Sequence, residues 1–307
     1  MSPRQLGLIA FGLGALLLLW GAAALVRGGG IAPGRSERFA LPAITADKVD
    51  TVWIARRADT TLLVKRDSAH WTANGHPTAA GAVRDLLNAL SDSSRRSELI
   101  ATKASSHRRM GVDSSGTHVR VAGPTGRLAD FILGQRSADL DGGYMRMASD
   151  SAVWLVRGGL ASALERGPDE WRDRGIGGAA RDSIARIDVK RGARSYSLGR
   201  SGTKWTLGAG APTDSAAVGQ LLAALEHVEA SGFASAAQAD SARFNPADRS
   251  VRALRKDGSP LLALVFDSMP AGFWARADTG KVVYRLETWA TDRLTPAESA
   301  LHPQKKK

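Results

Sequence analysis

Residues 70–93 read HWTANGHPTAAGAVRDLLNALSDS, and residues 204–228 read KWTLGAGAPTDSAAVGQLLAALEHV, so that one unit returns about 135 residues later. In each copy a tryptophan (Trp71, Trp205) belongs to a short strand, a turn leads to Pro77 or Pro212, and apolar residues then recur with helical spacing. Val83, Leu86, Leu87 and Leu90 fall at i, i+3, i+4 and i+7, and Val218, Leu221, Leu222 and Leu225 do the same. That spacing places four side chains on one stripe of a helix. Proline is tolerated in a first helical turn, where its missing N–H would have no partner, so each helix is expected to begin near its proline. Burying four such side chains contributes roughly 6–12 kcal/mol gross at about 1.5–3 kcal/mol each, which makes the stripes core rather than a cofactor pocket.

Working outward, Val49–Arg57 alternates apolar and polar residues with Val52 and Ile54 on one face, the pattern of a half-buried strand. Leu62–Lys65 and the Trp71 segment add two more strands. After the first helix come Arg95–Ile100 and Met110-Gly111-Val112, and strands are then expected at His118–Val121, Leu128–Leu133, Tyr144–Met147 and Ala152–Val156. Glycine-rich turns separate several of them, GPTG at 123–126 and DGG at 141–143. A further helix is expected from Leu160. In the second half Ile184–Lys190 answers the strand at 52–57, and Leu261–Phe266 answers Leu128–Leu133. Val282–Leu286 closes the set and Thr288–Leu294 reads as a short helix. The period is far longer than that of a solenoid, so a whole domain is repeated. The expected fold class is therefore α+β, an N-terminal transmembrane helix followed by two duplicated lobes, each an antiparallel sheet with a packed helix. The boundaries read as an anchor over 1–27, a linker over 28–40, a first repeat over 41–167, a connector over 168–181, a second repeat over 182–295 and a basic tail over 296–307.

Leu6–Val26 is a run of 21 residues without a charge, which as an α-helix would cover roughly 31 Å, the thickness of a bilayer core. The run exceeds the usual apolar core of a cleaved signal, so an uncleaved anchor is expected, with Ala22-Ala23-Ala24 as the alternative cleavage site. Arg4 lies before the run and Arg27, Arg35 and Arg38 after it, so the flanking charges do not decide the orientation. A first span with almost nothing before it favours the body on the extracytoplasmic side. The formal net charge is +12, and removing the one charge of Arg4 leaves +11 beyond the run. Such a surface favours anionic partners. The chain has no cysteine, which excludes disulfides, thiolate metal sites and a cysteine nucleophile.

Motifs for chemistry are not found. GPTGR at 123–127 lacks the Lys and Ser/Thr of a phosphate-binding loop, and Gly12 and Gly14, which imitate part of a dinucleotide fingerprint, lie inside the apolar run. The six histidines are scattered, and the second repeat has Lys204 and Gly210 where the first has His70 and His76, so no shared metal pair is expected. Asp139 with Asp141, and Asp169 with Glu170, stand beside turns or a helix start, where carboxylates cap backbone N–H groups. The reading is a protein without a catalytic site, cofactor or metal. Two clusters stand out. Arg95, Arg96, Lys103, His107, Arg108 and Arg109 form a basic group that reads either as a contact for a phosphate-bearing lipid or polymer, or as a solvated loop face. Trp171, Arg172, Asp173 and Arg174 lie between the repeats and read as a lock at their junction. Nucleic acid is not an expected partner, since no aromatic-basic signature accompanies the charge.

The order of these features, an apolar N-terminal run, a Trp-bearing strand, P-[TS]-x-x-x-x-V-x-x-L-L-x-x-L, then Met110-Gly111-Val112 and Arg172-Asp173-Arg174, resembles the bacterial family called domain of unknown function 4340 over most of Leu41–Leu294. The resemblance implies a non-enzymatic accessory protein that works beside gliding-type ABC transporter subunits, with the permease and ATPase as partners. The implied location is the bacterial inner membrane, the body acting as an envelope-facing docking or binding domain. The basic composition supports an alternative, a tethered binding module for an anionic envelope polymer or lipid.

Overall fold

A computed structural model describes residues 38–303. The first alternating segment forms β1 (Thr51–Ala55), which pairs with β2 (Thr60–Lys65) so that Val52 lies opposite Leu63 and Ile54 opposite Thr61, all four buried. β3 (Trp71–Ala73) and β4 (His76–Pro77) extend this hairpin to one sheet edge. Helix α1 (Ala80–Ser91) then crosses one face of the sheet, and β5 (Ser97–Ala101), the short helix α2 (His107–Met110), β6 (Thr117–Gly123), β7 (Gly126–Arg136), β8 (Gly142–Met147), β9 (Val153–Arg157) and helix α3 (Leu160–Leu164) follow. The nine strands are antiparallel in the order β4-β3-β2-β1-β6-β7-β8-β9-β5.

Beyond the junction, β10 (Gly175–Gly177) precedes β11 (Arg186–Arg191), β12 (Arg194–Ser201), β13 (Lys204–Leu207), β14 (Ala211–Pro212) and helix α4 (Ser215–Glu226). Then come β15 (Val228–Glu229), β16 (Gly232–Phe233), helix α5 (Ala236–Ser241), β17 (Arg249–Leu254), β18 (Pro260–Met269), β19 (Gly272–Ala277), β20 (Tyr284–Leu286) and helix α6 (Thr288–Leu294). The second sheet also has nine strands, ordered β14-β13-β12-β11-β17-β18-β19-β20-β16, the same topology as the first.

The expectation of an α+β fold opening on a transmembrane helix is corrected. Strand outweighs helix among the described residues. Two nine-stranded sheets form the framework of both lobes, and apart from α1 and α4, each of 12 residues, the helices are only 4–7 residues long. No helix among the described residues is long and apolar enough to cross a membrane. The run Leu6–Val26, and with it the 1–27 anchor, lies outside the described residues, as do the first part of the 28–40 linker and the end of the 296–307 tail. The excess of strand has a physical reason. Nine strands at about 4.8 Å spacing make a sheet ~38 Å across, whereas a 12-residue helix is about 18 Å long and about 10 Å wide. One helix cannot cover such a face.

Other segments close the remainder. In the first core Phe39, Leu41, Ile44 and Val49 of the lead-in chain join Leu86 and Leu90 of α1, Leu160 and Leu164 of α3, and Phe131, Met145 and Trp154 of the sheet. In the second, Leu221 and Leu225 of α4 and Leu294 of α6 pack on Ile187, Leu198, Leu264 and Phe266. The lead-in segments are held alike: Ile44 donates its N–H to the Leu90 carbonyl (3.0 Å), and Ala179 donates to that of Leu225 (2.8 Å). The prolines sit differently from the expectation. Pro77 and Pro212 belong to the two-residue edge strands β4 and β14, where a missing N–H costs no ladder bond, and the helices begin three residues later. Asp214 caps α4 by accepting from the N–H groups of Ala216 and Ala217, both at 2.9 Å, while the corresponding Ala79 offers α1 no side-chain cap.

Candidate functional site

The basic group does not act as one unit. Arg95 turns inward, donating from Nη1 to the carbonyls of Ala89 (2.7 Å) and Leu90 (3.1 Å) and from Nη2 to those of Leu41 (3.3 Å) and Pro42 (3.1 Å). It satisfies the C-terminal carbonyls of α1 and ties the lead-in chain to them, as a cation at a helix C-terminus does. Burial holds its guanidinium below the ordinary value, against a smaller opposing effect of Asp92. Arg96, Lys103, Arg108 and Arg109 are instead exposed and make no ion pair among the described residues. Arg96 directly precedes the edge strand β5, Lys103 closely follows it, and Arg108 and Arg109 lie on α2. The strand between them exposes Leu99 and Ile100.

Helix α2 is fixed on the far face of the first sheet by a second small core of Met110, Val112, Ile132 and Val153. His107 bonds the Ser151 carbonyl through Nε2 (2.8 Å) and Arg146 donates from Nε to the Val112 carbonyl (2.7 Å). Gly111 ends the helix at φ +67°, where a Cβ would approach the Gln135 side chain to 3.1 Å. Left-handed backbone and a close neighbour together require glycine there.

The junction residues are drawn to both lobes. Trp171 is fully buried in the first core and donates from Nε1 to the Arg166 carbonyl at 3.1 Å. Arg172 lies with its guanidinium carbon 3.5 Å from the ring centroid of Phe233 on β16 and donates to Asp169 at 3.1 Å. Asp173 donates its N–H to the Pro77 carbonyl (2.9 Å), and the Arg174 carbonyl accepts from Ala230 (2.9 Å). β10 pairs with β15 directly after. Trp171 therefore anchors on the first lobe, Arg172 reaches the second, and the strand pair closes the link.

A feature the sequence reading passed over is a pair of equivalent clefts. Each opens between the Trp-bearing strand and the long helix. The first, about 720 Å³, is lined by Trp71, Pro77, Val83 and Leu87, and the second, about 600 Å³, by Trp205, Pro212, Val218 and Leu222. In both, a threonine closes the floor by donating to the tryptophan carbonyl, Thr78 at 3.2 Å and Thr213 at 2.9 Å. Cationic side chains rim them, Arg66 and Arg84 in the first and Arg181, Arg200 and Lys204 in the second. The repeat of Trp, Pro-Thr and the helix stripe was the signal that contained this site. Its cations do not repeat: Arg84 stands where the second copy has Gly219, Lys204 where the first has His70, and Arg66, Arg181 and Arg200 come from outside the repeated stretches. Among the described residues no group of three or more His, Asp or Glu side chains is placed to hold a metal ion.

A family model described as "Domain of unknown function (DUF4340)" matches residues 71–249, more than half of the chain, from the first tryptophan strand to the start of β17. No curated protein matches the chain, and no solved structure does.

Proposed function

From the premise that the chain belongs to the DUF4340 family, we propose that it is a non-enzymatic, membrane-tethered accessory component of an ABC-type transport system, presenting its two lobes outside the cytoplasmic membrane as a docking or binding surface. The observation that carries this reading is the junction. Buried Trp171, the Arg172–Phe233 stack and the β10–β15 pair join two lobes of equal topology into one body, as suits a platform that engages a two-part partner. The apolar run Leu6–Val26 supports a tether. The test is capture of the tagged full chain from gently solubilised membranes. An ATPase and a permease recovered in fixed ratio are expected, and recovery of the chain alone refutes the reading. Protease protection tests the side: a body digested only from the cytoplasmic face would also refute it.

A second reading, a tethered module for an anionic envelope polymer or lipid, is favoured by one observation, the exposed Arg96, Lys103, Arg108 and Arg109 around the β5 edge, which make no ion pair among the described residues. Binding of this kind falls steeply with ionic strength. Retention on an acidic polymer that is indifferent to salt would refute it.

A further inference from the structure

We propose that the two clefts are paired binding sites, one per lobe, for a phosphate-headed, single-chain acyl amphiphile. The inference rests on neither reading above. The clefts lie toward the β4 and β14 sides of their sheets, and β5 with its cations is at the opposite edge of the first.

Three observations carry it. The clefts occur twice, at matching positions of the repeat and with the same threonine-to-tryptophan bond beneath, so they follow from the construction of the lobe and not from one packing defect. Their volumes fall in the range of roughly 300–1,000 Å³ in which small-molecule sites lie. Their chemistry is divided. The floor is aliphatic, Val83 and Leu87 or Val218 and Leu222, and Trp71 is only 7% exposed, so the first cleft offers no open ring face on which a sugar would stack. The rim is cationic. A ligand that satisfies both parts has an apolar chain and an anionic head, and a phosphate accepts from guanidinium N–H groups in the paired geometry that arginine provides.

The sites differ in the freedom of their cations. Arg66 and Arg84 make no ion pair among the described residues, and Asp173, which also lines the first cleft, already accepts the Gly175 N–H at 2.9 Å. In the second cleft Arg181 is 3.7 Å from Glu226 and Arg200 is 4.0 Å from Asp182. Lys204 makes no ion pair among the described residues either, so the second cleft keeps one free cation against two in the first, and the first cleft is the tighter site.

Arg84 and Gly219 occupy matching positions on α1 and α4, and each faces its cleft. Both can be replaced without disturbing the core: Arg84 is exposed, and a Cβ on Gly219 meets no atom within 4 Å. The test is native mass spectrometry of the full chain in non-ionic detergent, titrated with a single-chain acylglycerol phosphate. Wild type is expected to bind two molecules, one at least tenfold tighter. Arg84→Glu should lose the tighter one, Gly219→Trp the weaker one, and the double variant both, while Gly219→Ala should keep both. The proposal is overturned if no amphiphile binds, if the variants leave the stoichiometry unchanged, if inorganic phosphate displaces the amphiphile fully, or if a neutral acylglycerol binds equally well.

Discussion

Replacing Trp171 by alanine tests whether the junction tryptophan belongs to the first lobe alone. Its side chain is fully buried in that core, and truncating a large buried aromatic costs about 3–5 kcal/mol. The lost Nε1 bond adds little. The Arg166 carbonyl also accepts from the Arg56 guanidinium and is not orphaned when the indole goes. The Arg166 guanidinium, 5.5 Å from the ring centroid, loses its platform but keeps Asp85 at 2.7 Å. A loss of about 4 kcal/mol at about 1.4 kcal/mol per decade is roughly a 10³-fold rise in the opening equilibrium. Amide hydrogen exchange resolved by residue is the assay. Phe131 and Met145 of the first sheet should exchange about a thousandfold faster, while Phe266 and Ala275 of the second change by no more than a few fold. Trp171→Phe, which keeps a ring in the site, should cost far less. Equal acceleration in both lobes would refute the argument by making them one cooperative unit, and so would a first-lobe change below tenfold.

The two leucines at adjacent positions of α1 should separate sharply: Leu86→Ala, fully buried, is expected to cost about 3 kcal/mol in urea unfolding, and Leu87→Ala, half-buried at the first cleft, less than half of that. Asp214→Ala should cost about 1 kcal/mol by removing the cap of α4, whereas Ala79→Ser at the matching uncapped position should gain about 0.5–1 kcal/mol, both readable as shifts in thermal midpoint. Asp139 is held well below the usual carboxylate range by the Ser137 hydroxyl and then by Arg157, and Asp92, Asp113 and Asp257 are lowered by the Ser94 and Ser115 hydroxyls and the Ser259 N–H respectively. These groups bind protons more weakly folded than unfolded, so the stability they contribute is present above the unfolded value of 3.8 and is lost as pH falls through the folded values. Denaturant midpoints measured downward from pH 5 should therefore drop, with a smaller drop in Ser137→Ala.

What the sequence determined by itself is local. The strand, turn and helix around Trp71 and Trp205 are legible because side-chain period follows from the residues themselves, and of the eight stripe residues all but Leu87 are buried. The terminal helix stands at Thr288–Leu294 for the same reason. The balance of strand over helix was not legible. β5 pairs with β9, more than 50 residues away, and a sheet widens by such distant hydrogen bonds, which leave no period in the chain. Nor does the sequence distinguish Arg95 from Arg96. Adjacent and chemically identical, they part because the backbone brings the carbonyls of Ala89, Leu90, Leu41 and Pro42 to one side chain and leaves the other in solvent. The clefts lie between these cases. Their floors come from the repeat and are written twice in the chain. Their cationic rims are completed by folding, which brings Arg66 to the cleft of Arg84, and Arg181 and Arg200 to that of Lys204, and proximity across a fold is a property of tertiary structure alone.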